Sequence, residues 1–130
     1  LRVFIDTSAI LALLVPTDLW HEEARQAFAH LEAEEAPLVT TSYVLLETYA
    51  LLGRRQGLNA VRRFREDFAP LLEVEWVDSS LHESGLDLLL EIADRDLSLV
   101  DVISFQAIQA AELQRVFAFD RHFSDRGFHL

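Results

Sequence analysis

The sequence predicts an α/β domain with a central, mainly parallel sheet of four to five short strands and helices on both faces. Three observations carry this expectation. Short β-rich runs alternate with longer segments of helical periodicity, as parallel strands joined by helical crossovers require. The chain is 51% hydrophobic with only three Pro and four Gly, a composition that favours packed regular structure over disorder. Its 130 residues show no repeat, linker or low-complexity stretch, so a single domain over residues 1–130 is expected, large enough to bury roughly two-thirds of its unfolded surface.

Val3 to Ile5 reads as the first strand, and Thr7-Ser8 after Asp6 suits the cap of a helix through Leu14 that stops near Pro16. A second helix is expected after Thr17-Asp18, running to about Ala36 with Trp20, Ala24, Ala27, Phe28 and Leu31 as its stripe. Leu38 to Thr40 is strand-like, and Thr41-Ser42 suits the cap of a third helix to Leu52, ended by Gly53. Leu58 to Phe68 fits a helix with Val61, Phe64 and Phe68 inward and arginines outward. Pro70 precedes a strand from Leu72 to Val77. Asp78-Ser79-Ser80 opens a helix to about Arg95, and Leu99 or Val100 opens another carrying Asp101 and Ser104. Val116 to Phe119 completes the main strands, and Phe128-His129-Leu130 is a candidate last edge strand.

Composition excludes several chemistries. The chain has no Cys, which removes disulfides, thiolate metal sites and cysteine nucleophiles and is compatible with a reducing compartment. The first residues lead straight into strand-like sequence without an export signal, and Val44 to Leu52 falls short of the ~20 apolar residues of a membrane span. A cytoplasmic protein without membrane association is expected. The net charge of −11 argues against a polyanionic partner, yet five of the 11 Arg fall between Arg54 and Arg65, a segment without an acid.

Four acids sit in or against apolar runs. Asp6 closes Val3-Phe4-Ile5, Glu47 interrupts Tyr43-Val44-Leu45-Leu46, Asp101 lies within Leu97 to Phe105, and Asp120 closes Val116 to Phe119. A carboxylate in a core-forming segment is costly unless its charge is compensated. Asp6 and Asp120 follow strands, where open α/β sheets bind ligands, although helix capping explains either one equally well. Glu47 and Asp101 have no cationic helical neighbour to pair with, and a buried hydroxyl is the plain alternative. Together, four oxygen donors suit Mg²⁺ or Mn²⁺ and the metal-assisted hydrolysis of a phosphodiester.

The motifs Val3-Phe4-Ile5-Asp6-Thr7-Ser8-Ala9, Glu47 in its apolar helix, Leu97-Ser98-Leu99-Val100-Asp101-Val102-Ile103-Ser104-Phe105 and Phe119-Asp120-Arg121-His122-Phe123 resemble those of PIN-domain ribonucleases, specifically VapC-type toxins. The ordered set spans nearly the whole chain. The resemblance implies a PIN-like three-layer fold, Mg²⁺- or Mn²⁺-dependent endoribonuclease activity by metal-activated water, a homodimer, and a small cognate antitoxin in a type II toxin–antitoxin pair. It places Asp6, Glu47, Asp101 and Asp120 at the family's catalytic and metal-binding positions, with Asp125 as the alternative to Asp120. Ser8 and Ser104 fall where the family carries small polar residues that orient a carboxylate or water; a capping or helix-surface hydroxyl is the competing account.

Other residues carry weaker signals. Arg54, Arg55, Arg62, Arg63 and Arg65 are candidate contacts for RNA phosphates, against the plain reading of a solvated helix face, while Phe64 among them reads as core. Asp78 and Asp96 read as caps, and His122 as a structural residue or a phosphate contact. An aspartate-nucleophile phosphotransferase is disfavoured because Ser8 stands where such enzymes need a second Asp. The non-enzymatic alternative is a catalytically silent PIN-like module whose acidic groove receives a basic partner segment. Convergence of the four carboxylates separates the two.

Overall fold

The structure, a computed structural model covering residues 1–130, contains a four-stranded, all-parallel sheet flanked by helices. In chain order the elements are β1 (Val3–Ile5), α1 (Thr7–Leu14), α2 (His21–Ala33), β2 (Leu38–Thr41), α3 (Ser42–Gln56) and α4 (Leu58–Arg63). A π-helical turn (Phe64–Phe68) and a 3₁₀ turn (Ala69–Leu71) lead to β3 (Leu72–Glu75), followed by α5 (Ser79–Ile92), α6 (Leu99–Ala110), β4 (Arg115–Phe117) and α7 (Arg121–Ser124). The sheet order is β3-β2-β1-β4. Val3 pairs with both Leu38 and Arg115, which makes β1 the strand on which the chain changes direction across the sheet.

Every residue of β1 and β2 is buried, so both sides of the central strands are covered by helices, as a parallel sheet demands. β3 is an edge strand and half exposed. The core gathers Phe4, Phe64, Phe117 and Phe123, all essentially without solvent contact, around Ile5, Ile10 and Val102. Phe64 is therefore core, as its position between arginines suggested. Leu11 belongs to the same core, whereas Leu19 is exposed. No helix is long and apolar enough to cross a membrane.

Several boundaries differ from the sequence expectation. α3 runs through Gly53 to Gln56 because the stop is made by Gly57, at φ 87°, whose N–H bonds the Leu52 carbonyl. Asp18 does not open α2: its carboxylate accepts from the Trp20 N–H within a turn, and the helix begins at His21. α5 ends at Ile92, three residues before Arg95, where Ala93 takes a left-handed conformation. β4 ends at Phe117, so Asp120 stands on the loop beyond it and not directly at its end. The candidate edge strand at 128–130 is reduced to one parallel bridge, Arg115 to His129.

Gly85 determines how closely α5 approaches α6, the helix that carries Asp101. A Cβ at this position would lie 2.3 Å from Ile103 Cδ1 and 3.0 Å from Ile103 Cγ1, and Ile103 is fully buried. The gain in helix propensity, about 1 kcal/mol, is opposed by overpacking of about 1–3 kcal/mol. Gly85→Ala is therefore expected to lower stability by up to roughly 2 kcal/mol in the wild-type background. On an Ile103→Val background, where Cδ1 is gone, the same substitution is expected to be neutral or stabilising, as a denaturant-unfolding double-mutant cycle will read.

Candidate active site

The sheet order places a topological switch point between β1 and β4, and in such sheets ligands bind beyond the carboxyl ends of the two strands. There the chain forms an open cavity of about 470 Å³. The β1–α1 junction lines it with Asp6, Thr7 and Ser8; α3 contributes Glu47 and Arg55; the start of α6 contributes Ser98 and Asp101; and the β4–α7 loop contributes Phe119, Asp120 and His122. Asp6, Glu47, Asp101 and Asp120 thus face one space although they are spread from one end of the sequence to the other.

Three of the four acids are held by local hydrogen bonds. Asp6 is the N-cap of α1, accepting from the Ser8 N–H at 3.1 Å and the Ser8 hydroxyl at 2.7 Å. The same Ser8 Oγ accepts from the backbone N–H of Phe119 at 2.9 Å and of Asp120 at 3.3 Å. One hydroxyl therefore fastens the end of β1 to the loop after β4. Asp101 forms a capping box with Ser98: Ser98 Oγ accepts from the Asp101 N–H and Asp101 Oδ2 accepts from the Ser98 N–H, both at 3.1 Å. Asp120 caps α7, its Oδ1 accepting from the His122 N–H at 2.9 Å. Glu47 projects from mid-helix over a layer of buried threonines, in which Thr48 donates to Thr7 Oγ1 at 3.2 Å and Thr7 donates to the Val44 carbonyl at 3.3 Å.

Electrostatics mark the same group. Burial, opposed by the Ser8 hydrogen bonds and aided by the charges of Asp101 and Glu47, pushes the Asp6 carboxyl up to about 6. Glu47 is raised by burial, with the Thr7 hydroxyl partly opposing and Asp101 and Asp120 reinforcing. Asp101 is also raised by burial, against the Ser98 backbone hydrogen bond and with the Asp120 charge. The tightest donor set comprises Asp101, Asp120 and His122, whose ligand atoms lie within 4.8 Å of one another. His122 Nδ1 is 2.8 Å from Asp120 Oδ1 and 3.9 Å from Asp101 Oδ2, but the geometry forms no hydrogen bond and this buried nitrogen has no other hydrogen-bond partner. Clustered oxygen donors, with Asp6, Glu47 and Asp101 raised, and an orphaned imidazole nitrogen fit a divalent cation.

The remaining candidates divide. Asp125 is exposed at the end of α7 and does not line the cavity; Asp120 does. Ser104 is displaced from the expected orienting position because its hydroxyl donates to the Val100 carbonyl at 2.9 Å, one turn earlier in its own helix. Among the arginines only Arg55 reaches the cavity lining; Arg54, Arg62, Arg63 and Arg65 are exposed elsewhere, and Arg62 is turned onto Asn59 Oδ1 at 3.0 Å. Asp18 and Asp96 join the lining, and no sequence pattern set them apart from ordinary turn acids. Asp78 caps α5, accepting from the Leu81 N–H at 2.8 Å. It borders a larger cavity of about 590 Å³ between β3 and the α5–α6 pair, where Arg2 pairs with Glu73 at 3.6 Å and the acids do not converge.

Comparison with known proteins identifies the family and the fold. Residues 3–129 match the PIN domain family. The chain is 36% identical over 128 residues to the 23S rRNA-specific endonuclease VapC20 of Mycobacterium tuberculosis, in strains CDC 1551 / Oshkosh and ATCC 25618 / H37Rv alike, with 97% of this chain and 95% of that protein covered. Its fold superposes on the crystal structure of M. tuberculosis VapC20, described as a sarcin–ricin loop cleaving toxin, with a TM-score of 0.84 and 32% identity over 98% of this chain and 96% of that one. With the four motifs, the parallel sheet and the match along its whole length, the chain belongs to the PIN-domain family, in its VapC branch.

Proposed function

We propose that this protein is a metal-dependent endoribonuclease, the toxin of a type II toxin–antitoxin pair, and that Asp6, Glu47, Asp101 and Asp120 form its active site. The observation that carries this reading is the convergence of four carboxylates on one cavity at the switch point of the sheet. Dispersed acids would have favoured a silent binding module. The donor set suits Mg²⁺ or Mn²⁺, held by Asp101 and Asp120 with Asp6 and Glu47 facing the same space and His122 as an added donor. Such an ion supplies activation of water and charge stabilisation on the phosphoryl group.

The residues of the chain do the rest. Ser8 orients Asp6 and fixes the backbone that presents Asp120. Ser98 fixes Asp101 through both halves of its capping box. Arg55 offers the cavity a cation for a substrate phosphate, with Arg54, Arg62, Arg63 and Arg65 as a secondary, exposed basic surface. The relatives' activity makes 23S ribosomal RNA, and its sarcin–ricin loop in particular, the first substrate to test. A small antitoxin, a homodimer and a cytoplasmic location complete the proposal.

Three outcomes are expected. Purified protein should cleave ribosomal RNA with Mg²⁺ or Mn²⁺, lose that activity in EDTA, and lose about 100-fold or more on Asp6→Asn or Asp101→Asn. Cleavage undiminished in both variants rejects this site. Ser8→Ala should weaken metal affinity by about 10- to 100-fold, measured by isothermal titration, while the fold persists by circular dichroism.

The third concerns pH. Asp6 has a folded pKa of about 6 against 3.8 unfolded, so the folded state holds its proton more tightly. The metal-free protein gains this term below pH 3.8 and loses it as pH rises through about 6, a loss on the order of 3 kcal/mol. Glu47 and Asp101 act in the same direction. Asp6→Asn should therefore stabilise the metal-free protein more at pH 7 than at pH 4, and Mg²⁺ should raise the melting temperature of the wild type at pH 7 but not that of Asp6→Asn to the same extent. An equal effect of the substitution at both pH values counts against the buried-charge account.

A further inference from the structure

Trp20 stands on the rim of the acid-lined cavity with 40% of its surface in solvent. Its ring is stacked on Phe119, with centroids 5.4 Å apart and planes within 9°. Phe119 in turn meets the fully buried Phe117 of β4 edge-on at 6.0 Å. The backbone on both sides is fixed. Asp18 accepts from the Trp20 N–H at 2.9 Å, the His21 ring is hydrogen-bonded to the Ala12 carbonyl at 2.7 Å, and the Phe119 N–H donates to Ser8 Oγ. The indole is thus a rigid plane, partly open to solvent, backed by the ring of Phe119, the residue immediately before Asp120.

Charge gives RNA little purchase at this end of the molecule. The chain carries −11, and Arg55 is the one arginine lining the cavity. Beyond what a bound metal ion and Arg55 give the phosphate, affinity close to the acids must then come from contacts that do not depend on phosphate charge. Stacking of a nucleobase on an aromatic face is such a contact, and it is open only to bases released from a helix.

We propose that Trp20 is a base-stacking platform: an unpaired nucleobase next to the scissile phosphate lies on the exposed part of the indole, with Phe119 as its backing. Trp20 would then select RNA loops and single strands over duplex. This inference rests on the endoribonuclease reading above.

The test uses the fluorescence of Trp20 itself. Of the two tryptophans, Trp76 lies outside the cavity lining, is 72% exposed and can be removed as Trp76→Phe. In that background, with Asp101→Asn to prevent cleavage and Mg²⁺ present, the protein is titrated with a sarcin–ricin loop hairpin, with the same hairpin lacking one loop base at a time, and with a mixed-sequence single-stranded RNA. Trp20 emission should be quenched by at least one intact RNA. In the hairpin series quenching should fall when one particular base is absent. Trp20→Ala should weaken binding by about tenfold and erase the preference for the intact hairpin, and Trp20→Phe should restore most of both. Unquenched emission, or equal affinity of Trp20→Ala and its parent, overturns the platform; the nuclease reading survives that result if cleavage still depends on Asp101. Absence of metal-dependent cleavage of any of these RNAs by the Trp76→Phe protein overturns both.

Discussion

A single hydroxyl, that of Ser8, joins the two ends of the chain at the place where they matter most. It donates to Asp6 at the end of β1 and accepts from two backbone N–H groups in the loop that carries Asp120. With the packing of Phe119 and Phe123, this tie keeps the β4–α7 loop, which lies beyond the last ladder pairing, holding an acid close to others of its own charge. The cost of burying these carboxylates together shows in the raised pKa values of Asp6, Glu47 and Asp101, burial being the larger cause and the neighbouring acids the smaller. The Ser8 and Ser98 hydrogen bonds offset it only in part, and the remainder is what a bound cation would relieve.

Three of the four acids do two things at once. Asp6 and Asp120 cap α1 and α7, and Asp101 closes the capping box of α6. From sequence, capping and metal binding look like rival explanations of the same residue. In the fold they are one arrangement: a carboxylate whose one edge is pinned by backbone N–H groups at a helix start turns a fixed orientation toward the cavity. Glu47 is the exception, carried mid-helix and positioned by the packing of α3 on α1 through Thr7 and Thr48.

What could be read from the sequence follows from this. The strands, their helical crossovers and the misplaced acids were legible because each is a local pattern: an apolar run, a periodicity, a charge where none is expected. Asp120 over Asp125 was not decidable, because the choice depends on where β4 stops and on a contact with Ser8, more than one hundred residues away. Ser104 matched the expected motif, yet its hydroxyl is consumed by the Val100 carbonyl, a bond that any mid-helix serine can make. The arginine cluster looked like one patch in sequence, but the turn at Gly57 separates Arg54 and Arg55 on α3 from Arg62 and Arg63 on α4 and Arg65 beyond it, and only Arg55 lines the cavity. His122 had no ligand spacing to reveal it; only the α7 turn brings its nitrogen beside Asp101 and Asp120.

The pairing of β1 with β4 also has a consequence in time. Its contacts, Val3 with Arg115 through Ile5 with Phe117, join the beginning of the chain to nearly its end. A ribosome releases these segments in order, so Asp6 is synthesised long before Asp120 has emerged to meet it. During that interval the β1–α1 junction lacks the loop that completes the cavity, and the growing polypeptide has no assembled acidic cleft. The parallel pairing of β1 with β4 withholds the finished cavity until the β4–α7 loop has been made.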